Sequence, residues 1–365
     1  MTGAATEGGA GGLPRAVDAP GPVDAPGPVD APGPVDAPRV VDAQVQLGSQ
    51  LAIPRAFLEY QAANAHHRMA AYGHAVRPER MLDRVLSVHQ DDDGDRLVAE
   101  LDEAGVDQAF LVIPDYSHVA RCALTPPELA GHIDKVSRRH AGRFKVFWGV
   151  DPRGGQDGID LFERCVTAYG FAGLKLYPLC GYSPSDRRLY PYFELCEHYG
   201  LPVLSHTGPG WGQLEFAYGA PLLLDEAARD FPRVNFILGH GGVTHVDEAT
   251  YLCAHRPNVY LDISQFHSVL AADGWQAHLN RLFRLGVSHK ILFGTCWPSY
   301  RLSESLPGLV GAFAKGQPAV AGIKEADRRM IMGGNSLRLV AGAPRNDGTH
   351  PTTDNTDVTD RGGRA

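Results

Sequence analysis

The chain has 365 residues and a mass of 39.4 kDa, with 44% hydrophobic and 21% charged residues, which suits one large domain or two medium ones and is short for three. A net charge of −8 without any basic run excludes a protein built to grip phosphate backbones, so no nucleic-acid partner is expected. No run of about 20 apolar residues occurs, and the polar start from Met1 to Ala5 lacks a basic and an apolar region, so neither a membrane partner nor a secretion signal is expected.

From Val17 to Ala37 the motif VDAPGP recurs, placing Asp18, Asp24, Asp30 and Asp36 at equivalent positions. Pro removes backbone donors, Gly adds entropy, and the few Val side chains cannot offset the cost of ordering, so residues 1–38 read as a disordered arm. Eight apolar, β-branched runs follow as strand candidates: Val40 to Gln46, Gln108 to Ile113, Phe144 to Val150, Ala172 to Leu176, Pro202 to His206, Asn235 to Leu238, Val259 to Ile263 and Lys290 to Gly294. Between them lie helical stretches at Pro127 to His140, Ile159 to Tyr169, Arg188 to Tyr199, Leu222 to Asp230, Val246 to His255 and Trp275 to Leu285. The alternation over residues 39–342 predicts an α/β fold, a (β/α)8 TIM barrel with its active site at the carboxyl ends of the strands. An insertion at residues 48–90, after strand one, carries apolar residues at helical spacing and is expected to cap the mouth. Residues 343–365, rich in Thr, Asp, Gly and Asn, read as a disordered tail. The six cysteines form no CxxC pair, which suits reduced thiols in a cytoplasmic protein.

The barrel rule turns polar residues into candidates wherever they fall at a strand's carboxyl end. Lys175 and Tyr177 end strand four, His206 strand five and His240 strand six, while Cys296, Trp297 and Arg301 follow strand eight. Two histidines on adjacent strand ends, each followed by glycine that admits a ligand to the backbone, point to a site more than to core packing. His66, His67, His74, His89 and His245 lack such placement and read as cap or surface residues.

Six motifs in order, GLKLYP (173–178), PVLSHTG (202–208), GHGG (239–242), NVYLDIS (258–264), FGTCWP (293–298) and GGNSLRL (333–339), make the chain resemble the amidohydrolase superfamily. Within it the resemblance is to the amidohydrolase-related branch containing aminocarboxymuconate-semialdehyde decarboxylase and γ-resorcylate decarboxylase. The resemblance implies a (β/α)8 barrel, a divalent metal, cleavage of C–C, C–N or ester bonds in small polar substrates, and a homodimer. The pattern departs from it at the metal. Where the family carries an Asp-X-His-X-His signature on strand one, this chain has Asp42-Ala43-Gln44-Val45-Gln46, and the family's strand-eight aspartate is matched by Cys296. A neutral amide oxygen is a weak zinc ligand, so the ordinary metal site is expected to be lost.

The foremost expectation is an enzyme without a metal cofactor, acting on a small carbonyl or carboxylate substrate, aromatic or unsaturated, by decarboxylation, hydrolysis, or elimination or cyclisation. Gln44 and Gln46 would hold the substrate's carbonyl or carboxylate, His206 and His240 would serve as acid and base, and Lys175 would supply charge. Cys296 would be a nucleophile if a neighbouring imidazole stabilised its thiolate. Tyr177 and Trp297 would stack on a planar substrate, and Arg301 would pair with a carboxylate. Lys175 also has a plain structural alternative, pairing with Asp262. Two other readings stand beside this one: zinc on His206, His240 and Cys296, or an inactive scaffold. The departures from the family pattern would suit a specialised pathway such as secondary metabolism.

Overall fold

The computed structural model describes residues 40–269, 274–299, 304–314 and 317–342; the VDAPGP arm, the C-terminal tail and Arg301 lie outside the described residues. Eight parallel strands follow one another in chain order around a single sheet: β1 (Val41–Val45), β2 (Gln108–Ile113), β3 (Phe144–Val150), β4 (Gly173–Leu176), β5 (Val203–His206), β6 (Phe236–Gly239), β7 (Val259–Asp262) and β8 (Ile291–Leu292). Parallel pairing joins each strand to the next, with one shift of register in β1 between Asp42 and Val45. The ring is closed by the segment after β8, where the Ala43 N–H donates to Phe293 O at 2.8 Å, Cys296 N–H to Gln44 O at 2.8 Å and Gln46 N–H to Trp297 O at 2.9 Å. The fold is therefore the (β/α)8 barrel that the alternating pattern predicts.

Around the ring the helices are α1 (Arg55–Ala71), α2 (Pro78–Ser87), α3 (Asp95–Glu103), α4 (Pro126–Arg139), α5 (Gly155–Tyr169), α6 (Tyr190–Tyr199), α7 (Asp225–Asp230), α8 (Val246–His255), α9 (Phe266–Val269), α10 (Trp275–Arg284), α11 (Leu306–Ala312), α12 (Glu325–Arg329) and α13 (Asn335–Leu339). Local chemistry sets their ends. Thr125 and Glu128 form a reciprocal capping box at the start of α4, and Gly170 and Gly200 adopt left-handed conformations that stop α5 and α6. Asp151 caps the turn Pro152–Gly154, so α5 starts four residues before the periodic stretch at Ile159. The predicted helix from Leu222 divides into a 3₁₀ turn, Pro221–Leu224, and α7. α1 and α2 pack on each other through a small core of Ile53, Leu58, Ala62, Met81 and Val85, distinct from the main core.

Polar brackets hold the frame rigid where it carries the site. The Asn335 amide donates to the carbonyls of Ser288 (2.8 Å) and Ile291 (2.7 Å), anchoring the last helix under β8. Asp42, fully buried inside β1, accepts from the Thr295 hydroxyl and from the N–H groups of Thr295 and Gln44, both at 3.0 Å, fastening the closing segment to β1. Burial pushes the Asp42 carboxyl up to about 7 despite these donors. Among the described residues no helix is long and apolar enough to cross a membrane.

Candidate functional site

The strand ends gather around a cavity of about 540 Å³ whose wall includes Gln46, Tyr177, His206, His240, Gln265 and Cys296. Side chains along β1 alternate, so Gln44 and Gln46 share the inner face; Gln44 is fully buried and Gln46 reaches the cavity. The Gln44 Nε2 lies 2.9 Å from His240 Nε2. An amide nitrogen can only donate, so His240 Nε2 accepts and the ring proton sits on Nδ1. His240 Nδ1 donates to Ser264 Oγ at 2.7 Å, and Ser264 donates in turn to Asp262 Oδ1. A one-way chain of donors therefore runs from β1 to the end of β7. Burial holds the His240 pKa well below its ordinary value, so the ring is neutral.

His206 stands beside it, with ring centroids 4.7 Å apart and nearly edge to face, and packs on Tyr177 at 4.4 Å. Its Nε2–H donates to the Pro209 carbonyl at 3.1 Å, which leaves the Nδ1 lone pair buried and without a hydrogen-bond partner. Burial, assisted by the positive charge of Lys175, pushes its pKa down to about 3. Lys175 is itself buried, and its Nζ has no hydrogen-bond partner. Desolvation lowers the pKa of Lys175 and raises that of Asp262, although each charge favours the other. The plain pairing of these two is not made, since Asp262 Oδ2 is also without a partner.

Cys296 Sγ accepts a hydrogen bond from Gln265 Nε2 at 3.3 Å, and burial pushes the thiol up to about 11. The expectation of a thiolate stabilised by an imidazole is corrected here, because both neighbouring imidazoles are neutral. Among the described residues, His240 (φ 64°), Gln265 (φ 66°) and Cys296 (φ 61°) are the non-glycine residues in left-handed backbone, and all three line the cavity. Such conformations cost free energy and collect where surrounding structure enforces a function.

Aromatic side chains form the upper wall: Phe57 and Tyr60 from α1, and Trp211 and Phe216 from the segment after β5. Trp211 stacks on Phe57 at 5.7 Å, and its Nε1–H donates to Tyr116 Oη at 3.0 Å. Glycine lets this segment fold closely over the site, since a Cβ on Gly210 would fall 2.5 Å from Tyr177 Oη and one on Gly212 would fall 2.4 Å from the Tyr60 ring, so that either tyrosine would have to shift. Trp297 does not join this wall. It is fully buried, closes against Gly48 and donates from Nε1 to Glu100 Oε2 at 2.9 Å, so its role is packing and not stacking on a substrate. Ser264 falls at the end of strand seven, where the barrel rule looks, whereas Gln265 and the α1 side chains carry no strand-end signal in the sequence.

The donors available to a divalent ion can be inspected directly. Both ring nitrogens of His240 are engaged, one with Gln44 and one with Ser264, and Cys296 Sγ accepts from Gln265. Among the described residues, no three His, Cys, Asp or Glu side chains converge as a metal would require.

A family model described as amidohydrolase matches residues 95–341. Protein fluG of Emericella nidulans is 29% identical over 94 residues, covering 26% of this chain and 11% of fluG. The 2-keto-4-carboxy-3-hexenedioate hydratase of Sphingobium sp. is 32% identical over 97 residues, covering 22% of this chain and 28% of the hydratase. The chain thus spans well under two thirds of the length of these curated relatives. Among solved structures, 5-carboxyvanillate decarboxylase from Sphingomonas paucimobilis superposes with a TM-score of 0.55 and 18% identity, over 84% of this chain and 99% of that one, a likeness of fold.

Proposed function

The chain belongs to the amidohydrolase family, and from that premise we propose that it is an enzyme acting without a catalytic metal on a small unsaturated or aromatic carboxylate, as a carbon–carbon or carbon–oxygen lyase. The observation that carries this reading is the donor set. His206 Nδ1 and Lys175 Nζ are buried without a hydrogen-bond partner, Lys175 Nζ lying 5.9 Å over the Tyr177 ring, whereas His240 is committed on both sides. His206 is neutral at working pH and a weak base until substrate binds. A bound carboxylate would raise its proton affinity, so that it takes a proton from the substrate when water is eliminated, or passes a solvent-derived proton to carbon as carbon dioxide leaves. Lys175, in a site of low dielectric, would stabilise the carbanion, enolate or carboxylate charge. Gln44 would hold His240 in one tautomer through its amide, and Ser264 and Asp262 would fix the opposite edge of the ring. Gln46 would donate to a substrate oxygen, and Tyr177, Tyr60 and Trp211 would flank a planar substrate. The names of the decarboxylase and the hydratase support unsaturated and aromatic carboxylates as the class to try first.

The zinc reading would need His240 to release Gln44 and a buried thiol to lose its proton. A scaffold would keep Lys175 Nζ, His206 Nδ1 and Asp262 Oδ2 unpartnered in its core to no purpose, at about 1–3 kcal/mol for each such group. The test is to incubate the protein with a panel of small aromatic and unsaturated carboxylates in deuterated water, with and without a chelator, and follow proton spectra. The expected result is substrate loss with deuterium entering at carbon, indifferent to the chelator. Turnover that appears only after zinc is supplied would overturn the reading.

A further inference from the structure

A second cavity, of about 260 Å³, opens where β2 and β3 end, bounded by the segment after β2, the first turns of α4 and α5, and Tyr192 of α6. Its lining carries three carboxylates, Asp115, Asp151 and Asp157, one imidazole, His118, and no lysine or arginine. Asp151 is neutralised by Arg153, which grips its two oxygens at 2.7 and 2.5 Å. Asp115 accepts the backbone N–H of Ser117 at 2.9 Å, and neither Asp115 nor Asp157 has an ion-pair partner among the described residues. Uncompensated negative charge therefore faces the cavity. Tyr192 points to a ligand independently: the residue is only 1% exposed, yet its hydroxyl has no hydrogen-bond partner. That hydroxyl is at the cavity wall, because a Cβ on the lining residue Gly158 would fall 2.4 Å from it and one on Gly154 3.7 Å from it. The indole of Trp148 belongs to the same wall.

We propose that this cavity binds a small organic cation, a primary ammonium on a short carbon chain. Asp115 and Asp157 supply the charge, Tyr192 Oη accepts an N–H, and Trp148 packs on the chain and its cationic end. A bare divalent ion fits less well, since it needs oxygens converging at about 2.0–2.6 Å, and no three acidic or other metal-ligating side chains converge among the described residues. The size sets the limit, since 260 Å³ corresponds to about eight or nine waters at roughly 30 Å³ each, room for a molecule of several heavy atoms.

The experiment is calorimetric titration of the full chain, at low ionic strength, with butylammonium, n-butanol, butyrate and magnesium chloride. Saturable binding is expected for butylammonium alone. It should weaken at least tenfold in the Asp115→Asn, Asp157→Asn double variant and several-fold in Tyr192→Phe, with circular dichroism melts reporting that each is folded. The double variant alters exposed or half-buried carboxylates and carries the test if Tyr192→Phe does not fold. Binding should persist unchanged in His206→Asn, which alters the active cavity. Equal binding of butanol, tighter binding of magnesium, retention in the double variant or loss in His206→Asn would each overturn the proposal. None of these outcomes depends on the lyase reading of the active cavity.

Discussion

On the β5–β6 side of the barrel mouth stand two imidazoles, His206 and His240, each neutral and each fixed by a hydrogen bond to its neighbours. At the seam where the segment after β8 meets β1, the matching polar groups are the amides of Gln44 and Gln46 and the thiol of Cys296. The histidine side retains groups that could hold a metal or move a proton; the seam offers groups that form hydrogen bonds and little else. The contact between them, Gln44 Nε2 to His240 Nε2, uses a lone pair of the kind that metals bind. Gln44, a residue of the seam, thus occupies the Nε2 lone pair of His240.

Removing the free base should break this contrast most severely. His206→Asn is expected to lower kcat on any substrate found by about 10²–10⁴-fold, the usual worth of a positioned acid or base, while the melting curve stays cooperative. Trp297→Ala probes the packing at the seam and should cost about 3–5 kcal/mol in denaturant unfolding, with kcat per folded molecule retained. Lost turnover without lost stability would return Trp297 to the substrate's side. Gln44→Leu should cost about 1–3 kcal/mol, because it leaves His240 Nε2 buried and unpaired while Ser264 still keeps the proton on Nδ1, and the lost bond should be visible as a shift of the Nε2 resonance.

The pH dependence follows from the sign of the shift. The folded chain holds His206 near 3 whereas an unfolded histidine titrates near 6.5, so between those values the unfolded chain binds the extra proton and stability is lost as pH falls. The slope from this group approaches about 1.4 kcal/mol per pH unit. Asp42, raised to about 7, works in the opposite direction over its own window, since the folded chain keeps its proton as pH rises from 3.8. The difference between the wild-type chain and His206→Asn, measured between pH 4.5 and 6.5, isolates the histidine's share. Parallel curves for the two would contradict its neutral, buried state.

All eight strands were legible in the sequence because buried parallel strands are apolar runs that turn residues interrupt. Strand eight is the shortest at Ile291–Leu292, because Phe293 to Trp297 bond to β1 through scattered hydrogen bonds and not a regular ladder. The strand-end rule also picked out His206, His240 and Cys296, which the fold brings to one cavity wall, and Lys175, which is buried and not among the residues lining it. Trp297 was not resolved by that rule, because Cys296 before it takes a left-handed backbone (φ 61°) and strand alternation does not say which way the indole turns; it packs beside Gly48 and not at the cavity. Gln265 could not be found the same way, since its place depends on a left-handed backbone turn after β7 that no periodicity announces. The aromatic wall depends on how α1 and the segment after β5 lie over the mouth, which is tertiary information.

The smallest expected effect is no effect, and it bears most directly on the proposal that the site works by hydrogen bonding without a bound metal. The measurement is metal content by inductively coupled plasma mass spectrometry on protein purified without a histidine tag or chelator, repeated after zinc is supplied and excess removed. The account predicts well below one equivalent of any transition metal in both samples, with turnover unchanged. About one zinc per chain, lost in Cys296→Ser or His240→Asn, would contradict it.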